Sequence, residues 1–291
     1  MNDNNRPANT QLGAVSRTVS DLQRATDFYL RSIGLQLLES DSREALLGVP
    51  GRELVHLVEK PGAVRLAGRS GLYHFALRLP SRQALGNALR NLIETKTRMT
   101  GAADHLVSEA LYLDDSEGNG IEIYRDRPRS EWTYSDGRLR MDTLPLDYEG
   151  IWTEAGGDGP AKLPAGTTMG HMHLHVAQIG ESVAFYRDVI GFDLMMTYGP
   201  SAAFLSAGGY HHHIGVNTWA GVGAPPPPPD ALGLRHFVVR LPQQALDDLN
   251  GRLRASGAPV EQREDGLFVR DPSQNANKLV GVTFARIYER L

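Results

Sequence analysis

The chain contains no cysteine. This excludes disulfide staples and thiolate ligands, so any bound metal must be held by His, Asp or Glu. No apolar run approaches the ~18–20 residues that a helix needs to cross a bilayer. No block of like charge is present either. Lys and Arg number 30 against 34 Asp and Glu, for a net charge of −4, which leaves no basic stripe for a phosphate backbone. Neither a membrane nor a nucleic acid is therefore an expected partner. The opening MNDNNRPANT is polar and lacks the apolar centre of a secretory signal. The expectation is a loose tail on a cytoplasmic protein. Hydrophobic content of 41% and charged content of 22% are those of a soluble globular chain, and 291 residues suffice for two ordinary domains or four small modules.

What the chain does have is repetition. Gly13, Val19, Phe28, Tyr29, Ile33 and Gly34 recur 157 residues later as Gly170, Val176, Phe185, Tyr186, Ile190 and Gly191. A second phrase, LYHFALRLP from Leu72, recurs as LRHFVVRLP from Leu234. The chain is a duplication, and each half opens in two different ways, so four modules are expected.

In the first module, alternation over 12–19 predicts a strand. Ser20 and Gln23 have the spacing of a capping box, and Leu22, Ala25, Phe28, Tyr29 and Ile33 then follow a helical period that Gly34 is placed to end. The runs LQLLES, EALLGV and ELVHLVE read as strands, which completes a βαβββ unit. The second module opens at Leu72–Leu79, followed by the helix ALGNALRNLIE, the strand ALYLDD, the turn SEGNG and the strand IEIY. Modules 1 and 2 are placed at 8–130, a connector at 131–165, and modules 3 and 4 at 166–291. Between the last two modules, GVGAPPPPPD reads as a stiff spacer, because consecutive prolines favour polyproline II and exclude helix. DRPRSEW either docks the halves together or closes a pocket. Trp132, Trp152 and Trp219 read as packing residues, with Trp219 also placed to line a pocket.

Three residues at equivalent points of the repeat fit one metal site. They are His74 in the first strand of module 2, Glu122 in its last strand, and His171 in the first strand of module 3. Alone, each has a plain structural explanation; their weight comes from the repeat. Two imidazoles and a carboxylate on one face leave coordination positions open, which suits Fe(II) oxygen chemistry. Pairing modules 1 with 2 gives Ala14, His74 and Glu122, and pairing 3 with 4 gives His171, His236 and Lys278; both sets are incomplete. Pairing 2 with 3 completes the triad. It leaves Ala14, His236 and Lys278 to modules 1 and 4, where an ammonium repels a cation. One complete and one vestigial site is the simpler arrangement.

The strands, the FY-containing helices ending at Gly34 and Gly191, and the segments MGHMHLHVA, FLSAGGYHHHIGVNTW, DHLVSEALYLDD and SEGNGIEIYRDRPRSEW resemble the vicinal oxygen chelate superfamily. This superfamily includes glyoxalase I, bleomycin-resistance proteins and extradiol dioxygenases. Over nearly the whole chain the resemblance is to four-module, catechol 2,3-dioxygenase-like ring-cleaving proteins. It implies an α+β fold in which the βαβββ modules pair into two curved mixed-sheet half-barrels. It also implies that Tyr112, ten residues before Glu122, and His105 donate hydrogen bonds to developing oxygen charge. An acid–base His on the strand HHH is implied too. Alignment on the following Ile gives His212, whereas the internal repeat, which matches His56 with His213, gives His213. Successive residues of that strand face opposite sides, so His211 and His213 share one face and His212 has the other.

The expected activity is a non-haem, extradiol-type dioxygenase that cleaves a catechol-like or hydroquinone-like aromatic with O2. The expected metal is Fe(II), with Mn(II) as the alternative. A small aromatic substrate and O2 are the expected partners, and a homo-oligomer is compatible with the sequence. Two other classes fit the resemblance: a glyoxalase-like metal-dependent lyase or isomerase, and a bleomycin-resistance-type binding protein. The latter needs a cleft and no metal, which the triad argues against.

Overall fold

A computed structural model describes residues 9–156 and 162–282. The expected polar tail falls largely outside the described residues. The chain runs through β1 (Gln11–Val19), α1 (Leu22–Phe28), β2 (Gln36–Ser40), β3 (Glu44–Val49) and β4 (Arg52–Glu59). It continues as β5 (Gly71–Leu79), α2 (Arg82–Glu94), β6 (Met99–Asp104), β7 (Ser108–Asp114) and β8 (Gly120–Asp126). The hairpin β9 (Tyr134–Ser135) and β10 (Arg138–Leu139) and the helix α3 (Tyr148–Glu154) follow. The second half has β11 (Thr168–His175), α4 (Ile179–Ala184), β12 (Asp193–Tyr198), β13 (Ala202–Ser206) and β14 (Ile214–Asn217). It ends with β15 (Gly233–Pro242), α5 (Gln243–Ser256), β16 (Val260–Arg263), β17 (Gly266–Arg270) and β18 (Ala276–Val282).

The strands form two mixed eight-stranded sheets, giving the α+β arrangement of βαβββ modules that the repeat suggested. One has the order β16-β17-β18-β15-β1-β4-β3-β2, the other β12-β13-β14-β11-β5-β8-β7-β6. Within each module the first and last strands are parallel, as β5 and β8 are, so the helix serves as the crossover. Each sheet is joined at its centre by an antiparallel pair from distant parts of the chain, β1 with β15 and β5 with β11. Helical faces and inner sheet faces bury one continuous core, in which Tyr29, Phe75, Tyr186, Phe192 and Phe237 are among the largest enclosed side chains.

Several local expectations are corrected. Asp21, not Ser20, caps α1: its carboxylate accepts from the Arg24 amide at 2.9 Å. The Ser20 hydroxyl is instead engaged by Glu117 at 2.9 Å, so the capping box does not form. The helix does run to Gly34, which ends it with φ 86°, but its last turn, Tyr29–Ile33, is a π-helix. The repeat copies this at Phe185–Ile190 before Gly191, φ 97°. Strand β6 lacked a readable signal because MTGAAD is short, weakly apolar and at a sheet edge. The segment 131–165 is more than a link, since it contributes β9, β10 and α3. That helix packs so closely on α2 that a Cβ at Gly86 would stand 2.4 Å from the Ile151 carbonyl oxygen. The proline run forms neither helix nor strand and lies along residues 64–70, with Ser70 donating to the Pro225 carbonyl.

Candidate metal centre

His74 stands on β5, Glu122 on β8 and His171 on β11, three adjacent strands of one sheet. Strand periodicity turns all three to the same face. The glycines before two of them are obligatory. A Cβ at Gly170 would stand 1.9 Å from the Tyr124 hydroxyl, and one at Gly120 would stand 2.3 Å from the Tyr73 carbonyl.

The three ligand atoms form a tight triangle. His171 Nε2 is 2.9 Å and His74 Nε2 3.2 Å from Glu122 Oε2, and the two Nε2 atoms are 3.3 Å apart. Ligands about 2.0–2.1 Å from one cation and at right angles to each other would be about 2.8–3.0 Å apart, and wider angles lengthen this. The observed edges therefore fit a facial set of two nitrogens and one oxygen. Among the described residues this is the one cluster of its kind.

The charge states fit as well. Burial opposes the charge on Glu122, yet His171 and His74 hold its carboxyl well below the usual range. Burial pushes the His74 imidazolium below its ordinary value despite Glu122. A carboxylate and neutral imidazole are the forms a cation requires. Among the described residues His171 Nδ1 is buried and has no hydrogen-bond partner, so none of them orients this ring from behind by a hydrogen bond. Its neighbour in that role is a packed ring: His212 lies with its centroid 4.1 Å from that of His171.

The triad lines a cavity of about 720 Å³. Tyr73, Phe204 and Trp219 give it aromatic walls, and Met141 and Asp142 from the 131–165 segment form part of another side. His173 and His175, two and four residues after His171 on β11, also line it. Neither was singled out from the sequence, although the alternation GHMHLHV placed all three on one strand face. Burial, reinforced by His74 and His171, pushes His173 well below its ordinary value, and its Nε2 has no hydrogen-bond partner among the described residues.

His105 and Tyr112 meet at the cavity wall. His105 Nδ1 donates to the Asp142 carbonyl at 2.8 Å, so in the neutral ring Nε2 accepts from the Tyr112 hydroxyl at 2.7 Å. Burial first, then the charge of Glu122, pushes the Tyr112 phenol well above its ordinary value.

The HHH segment is not a strand. His211–His213 form the bend that enters β14, so the alternation argument does not apply to them. His211 and His212 both line the cavity. His213 is turned away: its Nδ1 accepts from the Ala207 amide at 3.2 Å and lies 2.9 Å from Ser206 Oγ, and its ring packs near Phe192. Burial, with His211 and Arg78 adding to it, pushes His213 down to about 3. His212 is also pushed well below its ordinary value, by burial and then by His171 and His211. The DRPRSEW segment sits on this bend, with Arg129 reaching the Gly208 carbonyl and Trp132 packed beside His211. Trp219 lines the cavity, whereas Trp152 is exposed against Arg90.

In the other sheet, Lys278 is paired with Asp265. His236 is pushed down to about 4 by burial and by Lys278, and it packs against Phe268.

Comparison with known proteins places these observations in a family. The glyoxalase/bleomycin resistance protein/dioxygenase superfamily model matches twice, over residues 11–123 and 168–279. A protein of Bacillus subtilis (strain 168) named catechol-2,3-dioxygenase is 48% identical over 273 residues, covering 92% of this chain and 95% of its own. Among solved structures, a Bacillus subtilis subsp. subtilis str. 168 protein described as a candidate dioxygenase superposes with a TM-score of 0.62 at 16% identity, covering 93% of this chain and 84% of that one. Glyoxalase I from Zea mays superposes with a TM-score of 0.57 at 14% identity, covering 94% and 92%. At such identities the structural matches speak for the fold alone.

Proposed function

The chain belongs to the glyoxalase/bleomycin resistance protein/dioxygenase superfamily, and on that premise we propose that it is a metal-dependent, extradiol-type dioxygenase. Its substrate is a catechol-like or hydroquinone-like aromatic, opened with O2. The observation that carries this reading is the convergence of His74 Nε2, His171 Nε2 and Glu122 Oε2 on one point in an aromatic-walled cavity. The name of the 48% identical relative supports the same activity class.

His74, His171 and Glu122 would hold the metal, with Fe(II) favoured by the donor set and Mn(II) as the alternative. When bound, a divalent cation would supply Lewis-acid charge and open coordination positions for one or two substrate oxygens and O2. The cavity volume of about 720 Å³ falls in the usual range for small-molecule sites, about 300–1,000 Å³. Tyr73, Phe204 and Trp219 give a flat ring apolar surface to lie against. His212, kept uncharged by burial, accepts a proton from a substrate hydroxyl. Tyr112 keeps its proton beside Glu122 and donates it to His105 Nε2, which fixes the phenol at the cavity wall with its oxygen free to accept.

The test is anaerobic purification with metal analysis, followed by oxygen uptake and ring-cleavage absorbance with a panel of catechols and hydroquinones. Bound metal with O2-dependent product supports the reading. Bound metal without oxygen consumption on any diol would favour a lyase or isomerase of the glyoxalase kind. A metal-free protein that binds aromatics would favour a sequestering role.

A further inference from the structure

We propose that the site takes a two-ring diol. One ring carries the hydroxyls at the metal centre, and a second flat ring, attached on the side away from it, lies at the outer end of the cavity against Tyr73, Tyr198 and Trp219. The proposal rests on the reading above and deepens it by naming the size and shape of the substrate. Length, uncovered aromatic surface and rigidity carry it.

The length comes from β11. His171, His173 and His175 alternate along this strand, and all three line the cavity. At about 3.3 Å per residue, His175 stands about 13 Å from His171. A single ring held by its oxygens beside the triad spans roughly one two-residue step, about 7 Å, and ends near His173. The step from His173 to His175 is then left uncovered.

The walls of that step are aromatic. Among the described residues six Tyr and Trp side chains are exposed, and three of them, Tyr73 at 38%, Tyr198 at 62% and Trp219 at 48%, line this one cavity. The Tyr73 centroid is 5.1 Å from that of His173 and 5.0 Å from that of His175, and the Trp219 centroid is 5.3 Å from that of His173. Strand register puts Tyr198 at the same end, because it pairs with Ala202, Ala202 with Asn217, and Asn217 with His175. Tyr73 and Trp219 meet edge to face, which fixes the two rings without covering both of them. The charges at this end are mixed: Arg65 acts on His175 and Asp114 on Tyr73, and both line the cavity. One charge of each sign favours an uncharged ring over an ionic tail.

This end is built before a ligand arrives. The Asn217 side-chain oxygen accepts from His175 Nδ1 at 2.7 Å and from the Trp219 amide at 3.0 Å, and the indole Nε1 donates to Ser201 Oγ at 3.3 Å. The two connectors that pass over it are tied down as well. The Leu232 amide donates to the Val64 carbonyl at 3.1 Å, and the Gly223 amide to the Ala177 carbonyl at 2.8 Å. A preset wall spares the ligand the cost of ordering it.

The experiment is calorimetric binding of catechol, 4-phenylcatechol and 4-tert-butylcatechol to full-length, metal-loaded protein without oxygen, so that no turnover occurs. 4-Phenylcatechol is expected to bind about 10–100-fold more tightly than catechol, the ratio for burying the apolar surface of one ring. Trp219→Ala should reduce that ratio by roughly 3–10-fold, and Trp219→Phe should keep most of it. Tyr198→Ala, at an exposed position on the edge strand β12, should reduce it similarly and tests the proposal even if Trp219→Ala fails to fold. A wild-type ratio near one overturns the proposal, as does a ratio that both alanine variants leave unchanged. An equal gain from 4-tert-butylcatechol, which is apolar but not flat, would mean that this end takes any apolar bulk, and would also overturn it. Cleavage assays of the same diols in air separate the two readings. Tight binding of 4-phenylcatechol with no diol cleaved would sink the dioxygenase reading and leave the two-ring ligand standing. Cleavage of catechol with no binding preference for 4-phenylcatechol would sink this proposal alone.

Discussion

Three side chains meet at the proposed metal centre, and each can be removed singly. His74→Ala, His171→Ala and Glu122→Ala are each expected to abolish most metal binding, measured on purified protein, while far-ultraviolet circular dichroism stays that of wild type. His236→Ala, in the other sheet, should leave metal content unchanged. Equal loss from that variant would show that the centre had been placed in the wrong sheet. The two histidines that follow His211 should separate by kind. His212→Asn is expected to cut turnover by about 10²–10⁴-fold, the range for a general acid–base group, with metal retained. His213→Asn should act on stability. Its Nδ1 accepts from the Ala207 amide, and losing a buried partner costs about 1–3 kcal/mol, readable as a lower urea midpoint. A turnover defect in His213→Asn without a stability change would reverse these assignments.

The repeated elements diverge in how they anchor equivalent turns. In DSEGNG, Asp115 accepts from the Glu117 and Asn119 amides at 2.9 Å each and from buried Arg17 at 2.6 Å. In DPSQNA, Asp271 accepts from the Ser273 amide at 2.8 Å, the Asn275 amide at 2.9 Å and the Tyr186 hydroxyl at 3.2 Å. Leu174 stands where the repeat has Arg17, and among the described residues no cation contributes to the Asp271 environment. Burial accordingly raises the Asp271 pKa to about 6, against these hydrogen bonds, whereas Arg17 outweighs burial and keeps Asp115 below its ordinary value. The sign follows. Between about pH 4, the range of an unfolded carboxyl, and pH 6, the folded chain binds more protons than the unfolded chain. The Asp271 contribution is therefore present in full below about pH 4 and is lost as pH rises through 6, amounting to roughly 3 kcal/mol across the window. Urea titrations from pH 4 to 7 should show Asp271→Asn with a flatter dependence than wild type; parallel curves would sink this. Asp115→Asn should be worse at every pH, since it leaves Arg17 enclosed without a counter-charge, a loss of about 3–5 kcal/mol.

At the scale of the whole molecule, the two halves of the chain share both sheets. The central pairs β1 with β15 and β5 with β11 tie residues 11–126 to residues 168–282 in both sheets. A fragment ending before β11 would expose two long central strand edges and lack His171. Residues 1–156 expressed alone are expected to aggregate or remain unfolded and to bind no metal. Co-expression with 162–291 should restore a soluble complex with metal. A fragment that is folded, monomeric and metal-binding by itself would contradict the coupling of the halves. The intact chain should hold close to one metal, since the equivalent position in the other sheet presents Lys278 and its partner Asp265.

Repetition and period are readable along the chain, and they were enough to determine the duplicated βαβββ modules, whereas the α+β half-barrels were implied by the family resemblance. Alternation marked most strands, and Gly34 and Gly191 marked where two helices must turn left-handed. Comparison of the copies also singled out His74, Glu122 and His171, because a ligand set stands out when its counterpart reads Ala14, His236 and Lys278. The capping of α1, the edge strand β6 and the bend at His211–His213 were not legible. Each depends on partners distant in sequence: Glu117 engages Ser20, β7 recruits a weak strand, and Asp126 and Trp132 hold the bend. Periodicity reports which face a side chain takes within a regular element; it is silent once the backbone bends. Only the tertiary structure could therefore turn His212 towards the cavity and His213 away from it, set His173 and His175 along its wall, and bring Asp126 within reach of a histidine 85 residues later in the chain.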